Sequence, residues 1–111
     1  MSDLRDQMRR AREAWFERGA FGFLIRRPTI EQLRAWRELP WSDMLGRCVV
    51  DWRGVRVIDL VPNGTVADAE FDADALAEWL ADDPELMGAL AEELQRRIAD
   101  HAAKREAAEK N

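Results

Sequence analysis

Arg47-Cys48-Val49-Val50-Asp51-Trp52-Arg53-Gly54-Val55, followed by Pro62-Asn63-Gly64 and then Phe71-Asp72, is the stretch on which the fold turns. An apolar run ends at Trp52 and Gly54 breaks it. Proline presets one turn dihedral and Asn-Gly accepts positive φ, so Pro62-Asn63-Gly64 reads as a turn. Before the break, Met44, Leu45, Cys48, Val49 and Trp52 fall at helical spacing behind Ser42-Asp43, which predicts a capped helix reaching Trp52. After it, Val55, Val57, Ile58 and Leu60 offer a strand, with Phe21–Arg26 as its partner.

Upstream, Leu4, Met8, Ala11 and Trp15 recur at helical spacing, with Arg5, Arg9, Arg10, Arg12 and Glu13 on the other face. This predicts a basic amphipathic helix over 2–18, capped by Ser2 and stopped by Gly19. Such a helix packs on its own domain, on a second copy, on a partner or on a membrane surface. Thr29, with Gln32 three residues on, forms a capping-box pattern for a helix carrying Ile30, Leu33 and Trp36. Downstream, Asp72 caps a helix with Leu76, Trp79 and Leu80, and Asp83-Pro84 opens a last one. Its stripe is Leu86, Met87, Leu90, Leu94 and Ile98, and the sequence turns polar beyond. The expected fold is mainly α: four to five short-to-medium helices with at most a small two-stranded β element, around 21–26 and 55–61. One domain is expected over 1–111, with an N-terminal amphipathic helix (1–19), a core (20–98) and a polar helical tail (99–111).

Composition narrows the class. With 47% hydrophobic and 35% charged residues, a 111-residue chain suits one folded, water-exposed domain. No apolar run approaches the roughly 20 residues that cross a bilayer, and Met1–Asp6 lacks a signal-peptide core. A single cysteine, Cys48, forms no internal disulfide and fits a reducing cytoplasm. The net charge of -5 conceals an asymmetry. Residues 1–58 hold 12 arginines against 8 acids (net +4), whereas 59–111 hold 5 basic residues against 14 acids (net -9). The arginines are interleaved with acids, unlike the clustered basic face of most nucleic-acid binders.

The residues give little sign of chemistry. His101 stands alone in the polar tail, and Cys48 lies on an apolar face, where a small buried hydrophobe is expected. Asp68, Glu70, Asp72 and Asp74 echo a calcium loop, but Ala73 and Trp79 stand where glycine and glutamate are required. Capping by Asp72 with an acidic first turn accounts for them. No catalytic residue, metal ligand or cofactor is expected, and the chain reads as a non-enzyme.

The order of motifs resembles the small tail assembly chaperones of long-tailed bacteriophages and prophages. The resemblance covers about residues 23–98: Arg26-Arg27-Pro28-Thr29-Ile30, then Cys48-Val49-Val50-Asp51-Trp52-Arg53-Gly54-Val55, the Asn63-Gly64 turn, Phe71-Asp72, Leu76-Ala77-Glu78-Trp79-Leu80 and Asp83-Pro84-Glu85-Leu86. Asp51 departs from it, standing where such sequences often carry glycine, as does the longer and more apolar 56–69 segment. The resemblance implies a non-enzymatic chaperone in the bacterial host's cytoplasm. It would coat the tape-measure protein during virion morphogenesis, tail-tube protein being recruited by the extension of a frameshifted longer form where one exists, with neither nucleic acid nor membrane as partner. A homo-oligomer is expected separately, from the amphipathic helices at 2–18 and 84–104 and the opposite charges of the chain's two ends. Candidate client contacts are Trp15, Phe16, Trp36, Trp41 and Trp79. Cys48, Val49, Trp52, Gly54 and Phe71 form the structural core motif. A structural component of a tail or connector, and a helical nucleic-acid-binding regulator using Arg5, Arg9, Arg10 and Arg12, are the alternatives.

Overall fold

The computed structural model describes residues 3–110. Its elements, in order, are α1 (Leu4–Ala11), β1 (Glu13–Arg18), β2 (Phe21–Arg26), α2 (Ile30–Trp36), α3 (Trp41–Cys48), β3 (Val49–Arg53), α4 (Val57–Leu60), α5 (Ala73–Asp82) and α6 (Pro84–Lys110). The strands form one antiparallel sheet ordered β1-β2-β3. Six helices with a three-stranded sheet make an α+β arrangement, which corrects the expected mainly α fold with at most two strands.

Three local readings change with it. The helix expected over 2–18 stops at Ala11, and Glu13–Arg18 pairs with β2 from Glu13↔Arg26 to Arg18↔Phe21. Gly19 does not stop a helix. At φ +60 it takes the first position of a two-residue hairpin loop, where a Cβ is strained. Ser2 lies outside the described residues, and Asp3 caps α1 by accepting from the Asp6 amide at 2.8 Å.

The helix expected to reach Trp52 ends at Cys48, and the β-branched Val49-Val50 opens β3. Register steps from Leu24↔Asp51 to Ile25↔Val49, so Val50 is left over as a bulge. The bulge lets Val49 and Trp52, three apart, both enter the core; in a regular strand they would face opposite ways. The strand expected at 55–61 is instead the four-residue α4, with one isolated bridge, Arg56↔Asp68, beside it. The partner of β2 on this side is β3.

Ser42-Asp43 does not cap α3, which starts one residue earlier at Trp41 with Pro40 at the N-cap and no side-chain cap bond; the other cap and turn signals fold as read. Thr29 and Gln32 exchange both capping-box bonds, Asp72 caps α5 at the Ala75 amide, and Asp83 accepts from the Leu86 amide. Asn63 takes positive φ in the turn. The core lies between one sheet face and helices α3, α5 and α6: Phe23, Ile25 and Trp52 meet Leu45, Leu76, Leu80, Leu90 and Leu94. The tail continues α6 as an exposed helix stitched by Arg105–Glu109 and Lys110–Glu106 pairs.

Candidate partner-binding surface

The sheet presents two chemically different faces. Phe21, Phe23 and Ile25 of β2, with Phe16 of β1, turn inward, while Gly22, Leu24 and Arg26 turn outward. On the outer face the Arg53 guanidinium stacks over Trp15, 4.2 Å from the ring centre, and also pairs with Glu17. Both side chains cross above Gly22, where a Cβ would meet Glu17 and Arg53 within 2.9 Å. Arg26 pairs with Glu13 at 2.7 Å. The outer face is thus closed by its own ion pairs and by a cation–π contact.

The five aromatic candidates do not share one surface. Trp15 is on the outer sheet face, and Phe16 packs inward against the core. Trp36, at the end of α2, lies under the Arg47 guanidinium at 5.3 Å, and Trp41 opens α3; both pack against the core edge. Of the five, Trp79 lines a sizeable groove. Its ring is held edge-on by Phe21 (5.1 Å) and meets Phe23 (5.7 Å) and Trp52 (6.1 Å). Its other side is half-exposed to a groove of about 760 Å³. Leu60 and Val61 form one wall, and Glu78 and Asp82 of α5 rim the other.

The core motif supports this wall from behind. Cys48, Val49 and Trp52 are buried. Trp52 packs edge-on against Phe71 at 5.1 Å and donates its indole N–H to Ala69 O at 2.8 Å. Gly54 has φ +74, and a Cβ there would collide with the Ala20 carbonyl oxygen. The β1–β2 hairpin therefore crosses β3 where only glycine fits.

Electrostatically the groove rim stands apart. Asp59 accepts from the Arg56 amide and pairs with its guanidinium, which holds the Asp59 carboxyl below its ordinary range. Among the described residues Asp74, Glu78 and Asp82 make no ion pair. They recur every fourth residue, forming a carboxylate row along α5. That period was readable in the sequence; the apolar wall of Leu60 and Val61 was not, because it rests on α4.

The titratable groups suited to chemistry lie apart from this groove. Burial pushes the Cys48 thiol up to about 11, against the weaker opposing pull of Arg12, Arg26 and Arg47. His101 is held below its ordinary value, first by burial and then by Arg27, Arg105 and Lys104. Among the described residues no three His, Cys, Asp or Glu side chains are placed to hold a metal ion. Among the described residues no helix is long and apolar enough to cross a membrane.

One clasp went unread in the sequence. Arg97 of α6 donates to the carbonyls of Ala14 (2.9 Å), Ile25 (3.1 Å) and Trp15 (3.4 Å), tying the last helix to the β1–β2 ladder. Glu93, one turn earlier, grips Arg97 at 2.7 Å and Arg96 at 2.6 Å. Burial raises the Glu93 carboxyl, but these hydrogen bonds outweigh it and leave the group below its ordinary value. Comparison with known proteins found no matching family model, no similar curated protein and no similar solved structure.

Proposed function

We propose that this chain is a non-enzymatic tail assembly chaperone of a long-tailed phage or prophage. It acts in the bacterial host's cytoplasm, binding the tape-measure protein and keeping it soluble until tail-tube protein assembles around it. The observation that carries the reading is the groove beside Trp79, with an apolar floor and unpaired carboxylates on its rim. An elongated helical client exposes apolar stripes that aggregate when bare. A groove of this kind takes such a stripe in helix-in-groove fashion, and its acids select basic flanking residues. Weak single contacts repeated along one client give avidity and still permit release. The motif order over residues 23–98 supports the same reading and supplies the client's identity.

The test is co-expression with a tape-measure protein. Expected outcomes are co-purification, a gain in client solubility, and loss of both on replacing Glu78 and Asp82 by lysine. Absence of co-purification together with unchanged client solubility refutes the proposal.

A further inference from the structure

Helix α1 is weakly supported by the rest of the fold. Its eight residues include none that is buried, and Leu4 and Met8, one turn apart, are 70% and 63% exposed. Isolated helices shorter than roughly 12–15 residues are marginal in water, and tertiary packing of the apolar face normally stabilises them. Here, among the described residues, neither Leu4 nor Met8 belongs to the core cluster or packs against it. A cleft of about 460 Å³ separates α1 from the start of α2, with Arg5, Met8 and Arg9 on the side of α1.

The charge asymmetry of the chain also survives folding. Among the described residues, one ion pair distant in sequence joins the basic half to the acidic half: Arg18–Glu85, at 3.2 Å on the surface. The other pairs close within a half or within one turn, as Arg26–Glu13 and Arg96–Glu93 do. Among the described residues Arg5 makes no ion pair, Arg9 has only a loose 3.7 Å contact to Asp6, and Asp74, Glu78 and Asp82 make none. An apolar stripe flanked by spare arginines and an apolar groove flanked by spare carboxylates are thus both left open on one molecule.

We infer that α1 of one copy docks into the Trp79 groove of a second copy, joining molecules head to tail. The spacing agrees: Arg5 and Arg9 on α1, like Glu78 and Asp82 on α5, are four residues apart, about 6 Å along a helix. Leu4 and Met8 cover Val61 and Trp79 of the neighbour, while Arg5 and Arg9 meet Glu78 and Asp82. The interface joins two different patches, so each copy keeps one free α1 and one free groove, and growth continues until a ring closes or the chain ends. The inference uses the same groove as the proposed function but none of its client, so client and neighbouring α1 compete for one site.

Light scattering of the full chain at low salt tests this with two charge reversals on exposed positions, R5E/R9E and E78R/D82R. The wild type is expected to gain mass with concentration. Each reversal alone is expected to weaken association by about tenfold or more, with circular dichroism unchanged. Mixing the two variants is expected to restore assembly, because each negative α1 then meets a positive groove and each positive α1 a negative one. A wild type that stays monomeric into the millimolar range overturns the inference. So does either reversal leaving association unchanged, or a mixture that fails to recover. The client is absent throughout, so these outcomes leave the co-expression test of the chaperone reading untouched.

Discussion

Replacing Arg97 by methionine keeps the aliphatic stem and removes only the guanidinium, which makes it a direct test of how the N-terminal hairpin is held. The side chains of Arg97 and Glu93 are 13% and 11% exposed, so the clasp is mostly shielded from water. Two of its bonds, at 2.9 and 3.1 Å, have good geometry, while the third, at 3.4 Å, is weak. Hydrogen bonds from a charged donor contribute about 1.5–3 kcal/mol each. Partial exposure argues for the lower end, and Arg96 still neutralises Glu93 in the variant. The expected loss is therefore about 2–4 kcal/mol, a large share of the 5–15 kcal/mol typical of whole domains.

Urea unfolding followed by circular dichroism should show this loss, with a fall in Tm on the order of 10 °C for a chain of this size. Amide exchange should locate it: protection in β1 should fall while the α5 amides near Leu76 and Leu80 keep theirs. A cost below about 0.5 kcal/mol, within the range of ordinary surface substitutions, would refute the claim that α6 clasps the hairpin. Uniform loss of protection across β1 and α5 would refute the local character of the clasp.

Three further outcomes follow from particular groups. Gly54→Ala should cost more than Gly19→Ala in urea unfolding, although both glycines have positive φ. Only Gly54 also faces a backbone oxygen, whereas Gly19 has open space around it; the shared left-handed term is about 1–2 kcal/mol. Cys48, at 1% exposure and with a thiol raised to about 11, should react with a disulfide reagent at pH 8 roughly a hundredfold more slowly folded than in denaturant. Glu93 has a folded value depressed below the ordinary 4.5, so the unfolded chain binds the extra proton. Its contribution to stability should be complete above pH 4.5 and be lost as the pH falls through the folded value, and E93Q should flatten that part of an acid unfolding profile.

Cap chemistry made much of the helical framework legible. Thr29 with Gln32, Asp72, and Asp83-Pro84 announce their helices because each cap bond joins residues three apart. The sheet was half legible. Phe21–Arg26 reads as a strand from its own residues, but β1 is fixed by hairpin pairing across Gly19-Ala20 and β3 by a partner remote in sequence. Trp52 shows why periodicity misled: the bulge at Val50 puts Val49 and Trp52 on one face at a spacing of three, which imitates a helix. At the groove, the carboxylate row of α5 could be read directly. Its apolar wall depends on Asp59 capping α4 through the Arg56 amide, a local bond hidden inside what looks like a β-rich run.

The same effect bears on function through β1. Had residues 2–18 formed one helix, Trp15 would have continued the stripe of Leu4 and Met8, and four turns would have had enough apolar surface to lie on the domain. Sheet pairing takes Glu13–Arg18 out of that helix, and Arg53 covers Trp15 on the outer sheet face. What remains is an arm of eight residues, too short to stand by itself, whose arginines have only the loose Arg9–Asp6 contact among the described ion pairs. The clasp and the arm are therefore coupled. Arg97 secures the strand from which α1 projects, so R97M should loosen the base of the arm and weaken self-association even though Arg97 touches neither α1 nor the groove. Unchanged self-association in an R97M protein with a demonstrably frayed β1 would mean that α1 docks independently of the strand that carries it.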